Sequence, residues 1–177
     1  RESGVPFYHG AMLSEQTEYN LDTLPYEYLI SATEYHSYNA LICTTFMPEY
    51  GRTNVFRISP YMDIDLNTGD TVAKIGGRIL FKEDVTLDDL NQKIDAGYVF
   101  KHTTLTDKFN YEQYKKEKDD ASIFLYVIKP SATLRFYSEE IKLNPEAGDV
   151  IVSLIPPKKD IEKVQEKLET KRNNGDV

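Results

Sequence analysis

Residues Tyr28–Pro60 read YLISATEYHSYNALICTTFMPEYGRTNVFRISP, and this stretch decides the fold of the first part of the chain. An apolar run at Tyr28–Ala32 predicts a buried strand, and a polar corner at Thr33–Ser37 follows it. Apolar residues then recur at helical spacing up to Gly51, and Asn54–Ile58 predicts a second strand. A strand, a short helix and another apolar strand in this order are typical of a parallel βαβ unit.

The polar corner is the first place to look for function. In open parallel sheets, ligands bind beyond the carboxyl ends of the strands, and the corner lies at such an end. We therefore predict a candidate cofactor-binding site at Thr33, Glu34, His36 and Asn39. His36 is also a candidate pH-responsive switch, although an exposed loop histidine or a helix cap is the commoner role of such a residue.

The sequence contains no glycine-rich phosphate loop. Neither GxGxxG nor GxxxxGK occurs, and the close pair Gly76–Gly77 has no helix directly after it. Such a loop supplies the backbone N–H groups that hold a pyrophosphate. We therefore expect no cofactor in this fragment, and nucleotide binding only in a full-length parent. Because the chain begins at Arg1, we expect it to be a processed or excised piece of that parent.

The predicted fold class is α/β plus α+β, in four segments. Residues 1–60 predict a partial Rossmann segment, with a further strand at Val5–His9 and a helix at Ser14–Leu21 before the βαβ unit. Residues 61–70 are rich in Asp, Asn and Gly and predict a linker. Residues 71–157 predict a mixed, largely antiparallel α+β module, and residues 158–177 a helix with a frayed tail.

Five strands and two helices are predicted in the second module. Val72–Phe81 predicts a strand with a bulge or tight bend at its glycine pair. Thr86 is expected to cap a helix that Gly97 ends. The other predicted elements are a strand at Tyr98–Leu105, a polar helix at Asn110–Lys118, and an antiparallel meander of Ile123–Ile128, Thr133–Tyr137 and Val150–Ile155.

Composition excludes several classes of partner. The net charge of −8 in 177 residues argues against nucleic acid and anionic membranes, both of which need clustered Lys and Arg. No apolar run approaches the roughly 18 residues of a membrane-spanning helix, so we expect no membrane insertion of this fragment. The single cysteine, Cys43, excludes an internal disulfide.

The sequence predicts neither a catalytic nor a metal site. Cys43 lies in the middle of the predicted helix, where a small thiol usually packs, and neither Cys43 nor His36 has an evident orienting partner. His9, His36 and His102 are too scattered for a metal site. Adjacent acidic pairs such as Asp88–Asp89 have diverging side chains, so we expect solvated caps and loops there.

The order of four short segments resembles a known family. Asn39-Ala40-Leu41 and Tyr50–Phe56 are followed by Gly77–Phe81 and then by Pro145–Ile151. Strand, Ala-Thr, polar corner, Asn and amphipathic helix resemble RCK domains, the regulators of potassium conductance with a TrkA-type nucleotide-binding fold. The whole series is more similar to the cytosolic C-terminal tails of bacterial monovalent cation:proton antiporters, in which a truncated Rossmann segment precedes a β-rich module.

The resemblance implies a regulatory tail on the cytoplasmic side of the bacterial inner membrane, part of an integral membrane protein whose transport domain is its partner. It also implies that the chain is not an enzyme, and that it senses a ligand or pH. The RCK pattern has an acidic residue after Gly10 and another in the corner, whereas this chain has Ala11 and His36 there. Two interpretations stay open beside the antiporter: an RCK-type nucleotide-sensing gating subunit of a potassium transporter or channel, and a fragment of a nicotinamide-dependent enzyme.

A truncated Rossmann sheet leaves strand edges uncovered. In the usual strand order, two further strands would separate Val5–His9 from Tyr28–Ala32, and the sequence contains neither. Bare apolar edges favour pairing with another chain. We therefore predict a homodimer through this exposed sheet edge.

Overall fold

The computed structural model describes residues 7–15, 17, 26–58, 76–82 and 85–157. The chain divides into two compact units, Arg1–Arg78 and Ile79–Val177. In the described residues the helices are α1 (His36–Tyr50), α2 (Leu87–Asp95) and α3 (Tyr111–Glu117), and the strands are β1 (Leu29–Ser31), β2 (Val55–Arg57), β3 (Arg78–Ile79), β4 (Val99–Thr104), β5 (Ile123–Ile128), β6 (Leu134–Phe136) and β7 (Val150–Ile155).

The first unit contains the predicted βαβ arrangement. β1 and β2 pair in parallel, with Leu29 opposite Val55 and Ser31 opposite Arg57. Parallel neighbours need a crossover, and α1 provides it. β3 lies on the other side of β2, so the sheet has the order β1-β2-β3. The prediction of a parallel strand–helix–strand unit is confirmed.

One face of α1 covers this sheet. Its buried residues Ile42, Cys43 and Phe46 pack with Leu29 of β1 and Val55 of β2. Their spacing of one and then three residues places them on one side of the helix. The apolar residues of the opening stretch therefore form the core of the unit.

α1 contains a proline in its last turn. The helix continues past Pro48 to Tyr50, so the proline does not end it. Pro48 lies in the last turn, where its missing N–H removes a hydrogen bond close to the helix end. Gly51 then ends α1 with φ of +76°, and its N–H donates to the Met47 carbonyl at 2.9 Å.

Several predicted elements fall wholly or partly outside the described residues. These are most of the Ser14–Leu21 helix, the linker at 61–70 and the tail at 158–177. The strand predicted at Val5–His9 is wrong for Phe7–His9, which form no strand and are exposed. Of Val72–Phe81, the described part contains only the two-residue β3. The predicted domain boundaries stay predictions.

The second unit contains the predicted capped helix. Thr86 precedes α2, its side chain accepts from the Asp89 N–H at 3.0 Å, and the Asp89 carboxylate accepts from the Thr86 N–H at 3.0 Å. This reciprocal capping box satisfies two donors that a helix start otherwise leaves unpaired. Gly97 follows the helix with φ of +87°. The prediction of both helix ends is confirmed.

The four strands of the second unit form an antiparallel sheet in the order β4-β7-β5-β6. β7 pairs with both β4 and β5, so the predicted meander, in which β7 would follow β6 in space, is wrong. The reason is that β5 is apolar along its whole length and buries most of its residues, so it takes a central position. The long connection from β6 to β7 allows the crossing.

A polar turn sets the start of β7. The Asp149 carboxylate accepts from the Lys129 ammonium at 2.7 Å and from the Glu146 N–H at 2.8 Å. The Asp149 carbonyl accepts from the Leu105 N–H at 2.8 Å. Gly148 takes φ of +94°, a conformation that glycine adopts without strain. The Pro145–Ile151 segment is therefore a turn that holds β4, β5 and β7 together.

Candidate functional site

The candidate site lies where β1 and β2 end and α1 begins. Asn39 is fully buried at this corner, with 0% of its surface exposed. Its Oδ1 accepts from Ser31 Oγ at 3.0 Å, from the Thr33 N–H at 2.9 Å and from Thr33 Oγ1 at 2.7 Å. Its Nδ2 donates to the carbonyls of Thr33 at 2.9 Å and Ile58 at 3.2 Å. Both amide hydrogens are therefore used within the protein.

These bonds give Asn39 a clear structural task. One side chain joins the end of β1 to the residue after β2, and it belongs to the first turns of α1. Buried polar groups need such partners because an unpaired one loses the hydrogen bonds that water would give it. A ligand that bonded to the Asn39 amide would have to displace some of them.

The other predicted site residues differ in their surroundings. Thr33 is half-buried, and its Oγ1 also accepts from the Tyr35 N–H at 3.2 Å. Glu34 is exposed to solvent. His36 begins α1 and is half-buried. The structure thus brings Thr33 and Asn39 into one bonded cluster, and it places Glu34 outside that cluster. Their role in binding a cofactor stays a prediction.

An arginine that sequence reasoning missed lies beside His36. Arg57 is the last residue of β2 and is 1% exposed. Its Nη1 lies 2.9 Å from His36 Nδ1. The same Nη1 lies 3.4 Å from His36 Nε2, and since the guanidinium can only donate, the neutral imidazole accepts from Arg57 through its unprotonated ring nitrogen. The signal was present in the sequence, because Arg57 interrupts an apolar strand at its carboxyl end.

Burial and the neighbouring cation both act on His36. Loss of solvent, and then repulsion from Arg57, lower the pKa of His36 below its ordinary value of 6.5. The imidazole is therefore neutral at physiological pH, and the positive charge at this corner belongs to Arg57. A buried cation and the start of a helix both favour an anion, although a helix N-terminus contributes only about 0.3–1 kcal/mol.

Gly76 and Gly77 have a packing role against α1. A Cβ at Gly76 would lie 2.6 Å from the Ala40 Cβ, and a Cβ at Gly77 would lie 2.9 Å from the Cys43 Cβ. Real side chains do not approach so closely, so only glycine lets the segment before β3 lie against the helix. Gly77 also takes φ of +80°. The glycine pair therefore serves backbone packing.

Cys43 is a core residue, as the sequence suggested. It has no exposed surface, and its thiol donates to the Phe56 carbonyl at 3.3 Å. Burial raises the pKa of Cys43 to about 11, so the nucleophilic thiolate is disfavoured. The interpretation of Cys43 as packing is confirmed.

Two further properties concern the described residues as a whole. No helix among them is long and apolar enough to cross a membrane. In the same part of the chain, no three His, Cys, Asp or Glu side chains are grouped so that they could hold a metal ion.

No protein-family model and no curated protein matches this sequence. Among solved structures, a similar chain is the crystal structure of the GsuK RCK domain, with a TM-score of 0.32 and 11% sequence identity. The match covers 93% of this chain and 39% of that chain, so this chain spans about two fifths of the length of that one. A likeness this distant does not assign the chain to a family.

Proposed function

We propose that this chain is the cytosolic regulatory domain of a bacterial membrane monovalent cation:proton antiporter. The observation that carries the proposal is the order of the four segments that resemble such tails, from Asn39-Ala40-Leu41 to Pro145–Ile151. Three of the four have a defined structural task in the fold. Asn39 joins β1 to the end of β2, Gly77 packs on α1, and the Asp149 turn sets β7.

The geometry of the corner supports regulation rather than catalysis. The Asn39 amide is bonded to its own chain, Cys43 is buried with a raised pKa, and His36 accepts from Arg57. A nucleophile must be exposed and activated by a base, and Cys43 is neither. We therefore propose that the chain contributes binding and conformational change, with the transport chemistry in the membrane domain of the parent.

Such a domain regulates transport if a ligand, a proton or a second copy binds two transporter states with different affinity. The predicted homodimer through the first sheet is part of this proposal. β1 is the outer strand of the described sheet, and Ile30 at its centre is 42% exposed. Pairing of this edge with a second copy would couple the two transport domains of a dimeric antiporter.

The second candidate is an RCK-type gating subunit of a potassium transporter or channel. A parallel βαβ corner with a buried cation, Arg57, is the observation that favours it, because nucleotide phosphates are anions. It requires a nucleotide bound by the parent protein. A fragment of a nicotinamide-dependent enzyme is the third candidate and requires a catalytic domain elsewhere in the parent.

The proposal is tested on the parent protein in everted membrane vesicles from a transport-deficient bacterial host. Sodium- or potassium-driven proton exchange is followed with a pH-gradient dye, for the intact protein and for a version that ends before Arg1. We expect exchange by both, with a several-fold change in rate or a shifted pH profile in the truncated form. Unchanged transport after truncation would contradict a regulatory role, and a parent without exchange activity would contradict the antiporter.

Calorimetry with ATP and NADH separates the candidates further. The antiporter proposal expects no saturable binding to this chain at millimolar nucleotide. Saturable binding by the parent that His36→Gln weakens, and that the exposed-surface control Thr45→Ala leaves unchanged, would favour the gating subunit.

A further inference from the structure

β4 is an outer strand, and its residues are largely exposed in the part of the chain that the structure describes. It has only β7 as a neighbour in the described sheet. Of its six residues, five are exposed and Thr103 is half-buried. Val99 and Phe100 are 52% and 57% exposed, although both are large and apolar. The strand contains no proline or glycine, and β6 at the other end of the sheet has only three residues. Outer strands of soluble proteins are usually shorter or better protected.

The hydrogen bonds show which backbone groups of β4 face outward. The Leu105 N–H donates to the Asp149 carbonyl at 2.8 Å, and the Leu105 carbonyl accepts from the Gly148 N–H at 2.9 Å, so the polar groups of Leu105 point toward the β7 side. Direction alternates along a strand. The groups of Thr104, His102 and Phe100 therefore point away from β7.

The opposite side of the sheet leads to the same assignment. The Lys129 N–H donates to the Thr133 carbonyl, so the backbone groups of alternate residues of β5, including Val127, point toward β6. The backbone groups of Tyr126 therefore point toward β7. Tyr126 is opposite Val152, which leaves Ser153 of β7 to face β4, where its partner is Lys101. The backbone N–H and carbonyl of Lys101 thus point toward β7, and those of His102 point away from it.

The outward groups match a second copy of the same strand. If two β4 strands run antiparallel about a two-fold axis at His102, then Phe100 of one copy lies opposite Thr104 of the other, and His102 lies opposite His102. These are the narrow, hydrogen-bonded positions of an antiparallel pair. Every outward N–H and carbonyl of the three residues then has a partner.

The side chains suit the same register. Phe100 lies opposite Thr104, an aromatic and β-branched pair of the kind that stabilises neighbouring strands. Lys101 lies opposite the neutral Thr103, so the two lysines do not face each other directly. β4 contains no carboxylate, although the chain has a net charge of −8. α2, which leads directly into β4, has no buried residue, and its apolar Ile94 is 48% exposed.

We propose that β4 is a homotypic docking strand, which pairs antiparallel with β4 of a second copy about His102 and joins the two four-stranded sheets into one. The partner is a second copy of this chain because, in this register, Phe100 of each strand lies opposite Thr104 of the other and Lys101 lies opposite the neutral Thr103. This surface belongs to the second unit and is independent of the β1 edge in the proposed function.

The first test measures the mass of the full chain by size-exclusion chromatography with light scattering, at pH 8 and physiological salt. All variants carry Ile30→Lys, which places a charge on the exposed β1 position and removes pairing there. We expect a dimer for this background and for added His102→Gln, and a monomer for added His102→Pro. Proline removes one outward N–H, and outer strands accept proline where that N–H faces solvent.

The second test does not depend on the fold tolerating proline. Oxidation of His102→Cys should give a disulfide-linked dimer at least ten times faster than oxidation of Lys101→Cys. The Cα atoms of a narrow antiparallel pair lie about 5.5 Å apart, within disulfide range, whereas position 101 lies opposite 103. Cys43 has no exposed surface and does not compete.

Two results would overturn the proposal: a monomer in the Ile30→Lys background at several hundred micromolar chain, or cross-linking at position 101 as fast as at 102. A wild-type dimer that Ile30→Lys abolishes would support the β1 edge as the dimer interface and contradict β4. A dimer held by β4 alone would support β4 and contradict the β1 edge. Neither result depends on whether the parent is an antiporter.

Discussion

The corner at Asn39 and the outer strand β4 are opposites in how they use polar groups. At the corner, one buried amide binds both strand ends, and Arg57 and His36 bind each other. Along β4, three residues direct their backbone N–H and carbonyl groups to the outside, and Phe100 is 57% exposed. Both regions lie at the edge of a small sheet, yet the region that the sequence marks as a ligand site is filled by its own chain.

This difference indicates which of the two regions a partner can bind without displacing hydrogen bonds within the chain. A ligand at the corner must replace existing hydrogen bonds, each worth about 1 kcal/mol net, before it gains any. A strand that pairs with β4 replaces only water. Each prediction below changes one of the two regions and measures whether its residues hold the unit together.

The largest effect is expected for Asn39→Ala. The change removes all five bonds of the amide and leaves the buried Ser31 hydroxyl and the Ile58 carbonyl without that partner. Unpaired buried groups cost about 1–3 kcal/mol each, so we expect a loss of about 3 kcal/mol in the free energy of unfolding. Urea unfolding followed by circular dichroism measures it.

The matched control is Thr45→Ala on the same helix, whose exposed hydroxyl bonds only to the Leu41 carbonyl. It should change stability by less than about 0.5 kcal/mol. If Asn39→Ala costs no more than Thr45→Ala, the corner is not held together by its amide, and the contrast with β4 disappears.

Gly76→Ala should be the next most costly change. The new methyl would lie 2.6 Å from the Ala40 Cβ and 2.9 Å from the Ala40 Cα, so backbone must move, at about 2 kcal/mol. A double-mutant cycle with Ala40→Gly measures the contact directly by urea unfolding. Ala40→Gly alone should cost about 1 kcal/mol for its helix position.

The coupling energy from this double-mutant cycle has a predicted sign. The double variant should be more stable than the sum of the two single losses predicts, because one methyl leaves as the other arrives. Strict additivity would mean that the glycine pair does not lie against α1, and that its role should be sought elsewhere.

A smaller effect is expected from the titration of His36. Its pKa is lowered in the folded chain, first by burial and then by Arg57, so the unfolded chain binds the proton more readily. The sign follows from linkage. The part of the folding stability that depends on neutral His36 is fully present above pH 6.5 and is lost as the pH falls below that value. The wild type should therefore lose stability relative to His36→Gln as the pH falls below about 6.5.

Urea midpoints at half-unit pH steps check this difference. A wild type that gains stability relative to His36→Gln on acidification would mean that protonation is favoured in the fold, as a switch at this corner would require. A parallel measurement of chain mass over the same pH range tests the switch itself, for which the lowered pKa gives no support above pH 6.5.

The sequence predicted the strongly patterned parts of this fold. The run Tyr28–Ala32 and the helical stripe through Ile42 and Phe46 show their periods directly, and the Thr86 capping box is a local signal. The order of the second sheet was not predictable in this way, because turn residues between β6 and β7 show where strands end and not which strand is the neighbour.

The sequence marked the corner after β1 but not the partners of its side chains. Thr33 and Asn39 do meet there, because α1 begins directly after the corner that ends β1. The partners of these side chains come from β2, through Arg57 and Ile58, which no local pattern connects to them. Long-range pairing of polar groups is set by the packed structure, and periodicity gives no information about it.

The smallest effect on the free energy of unfolding is expected for Phe100→Ser in β4. An exposed side chain outside the core contributes little to folding, so stability should change by less than about 0.5 kcal/mol. Leu105→Ala, five residues further along and 1% exposed, should cost about 3 kcal/mol in the same urea experiment. Both are measured in the His102→Pro background, so that association does not contribute. A large loss from Phe100→Ser would show that the ring supports the monomer fold, and β4 would then be a covered strand rather than an open one.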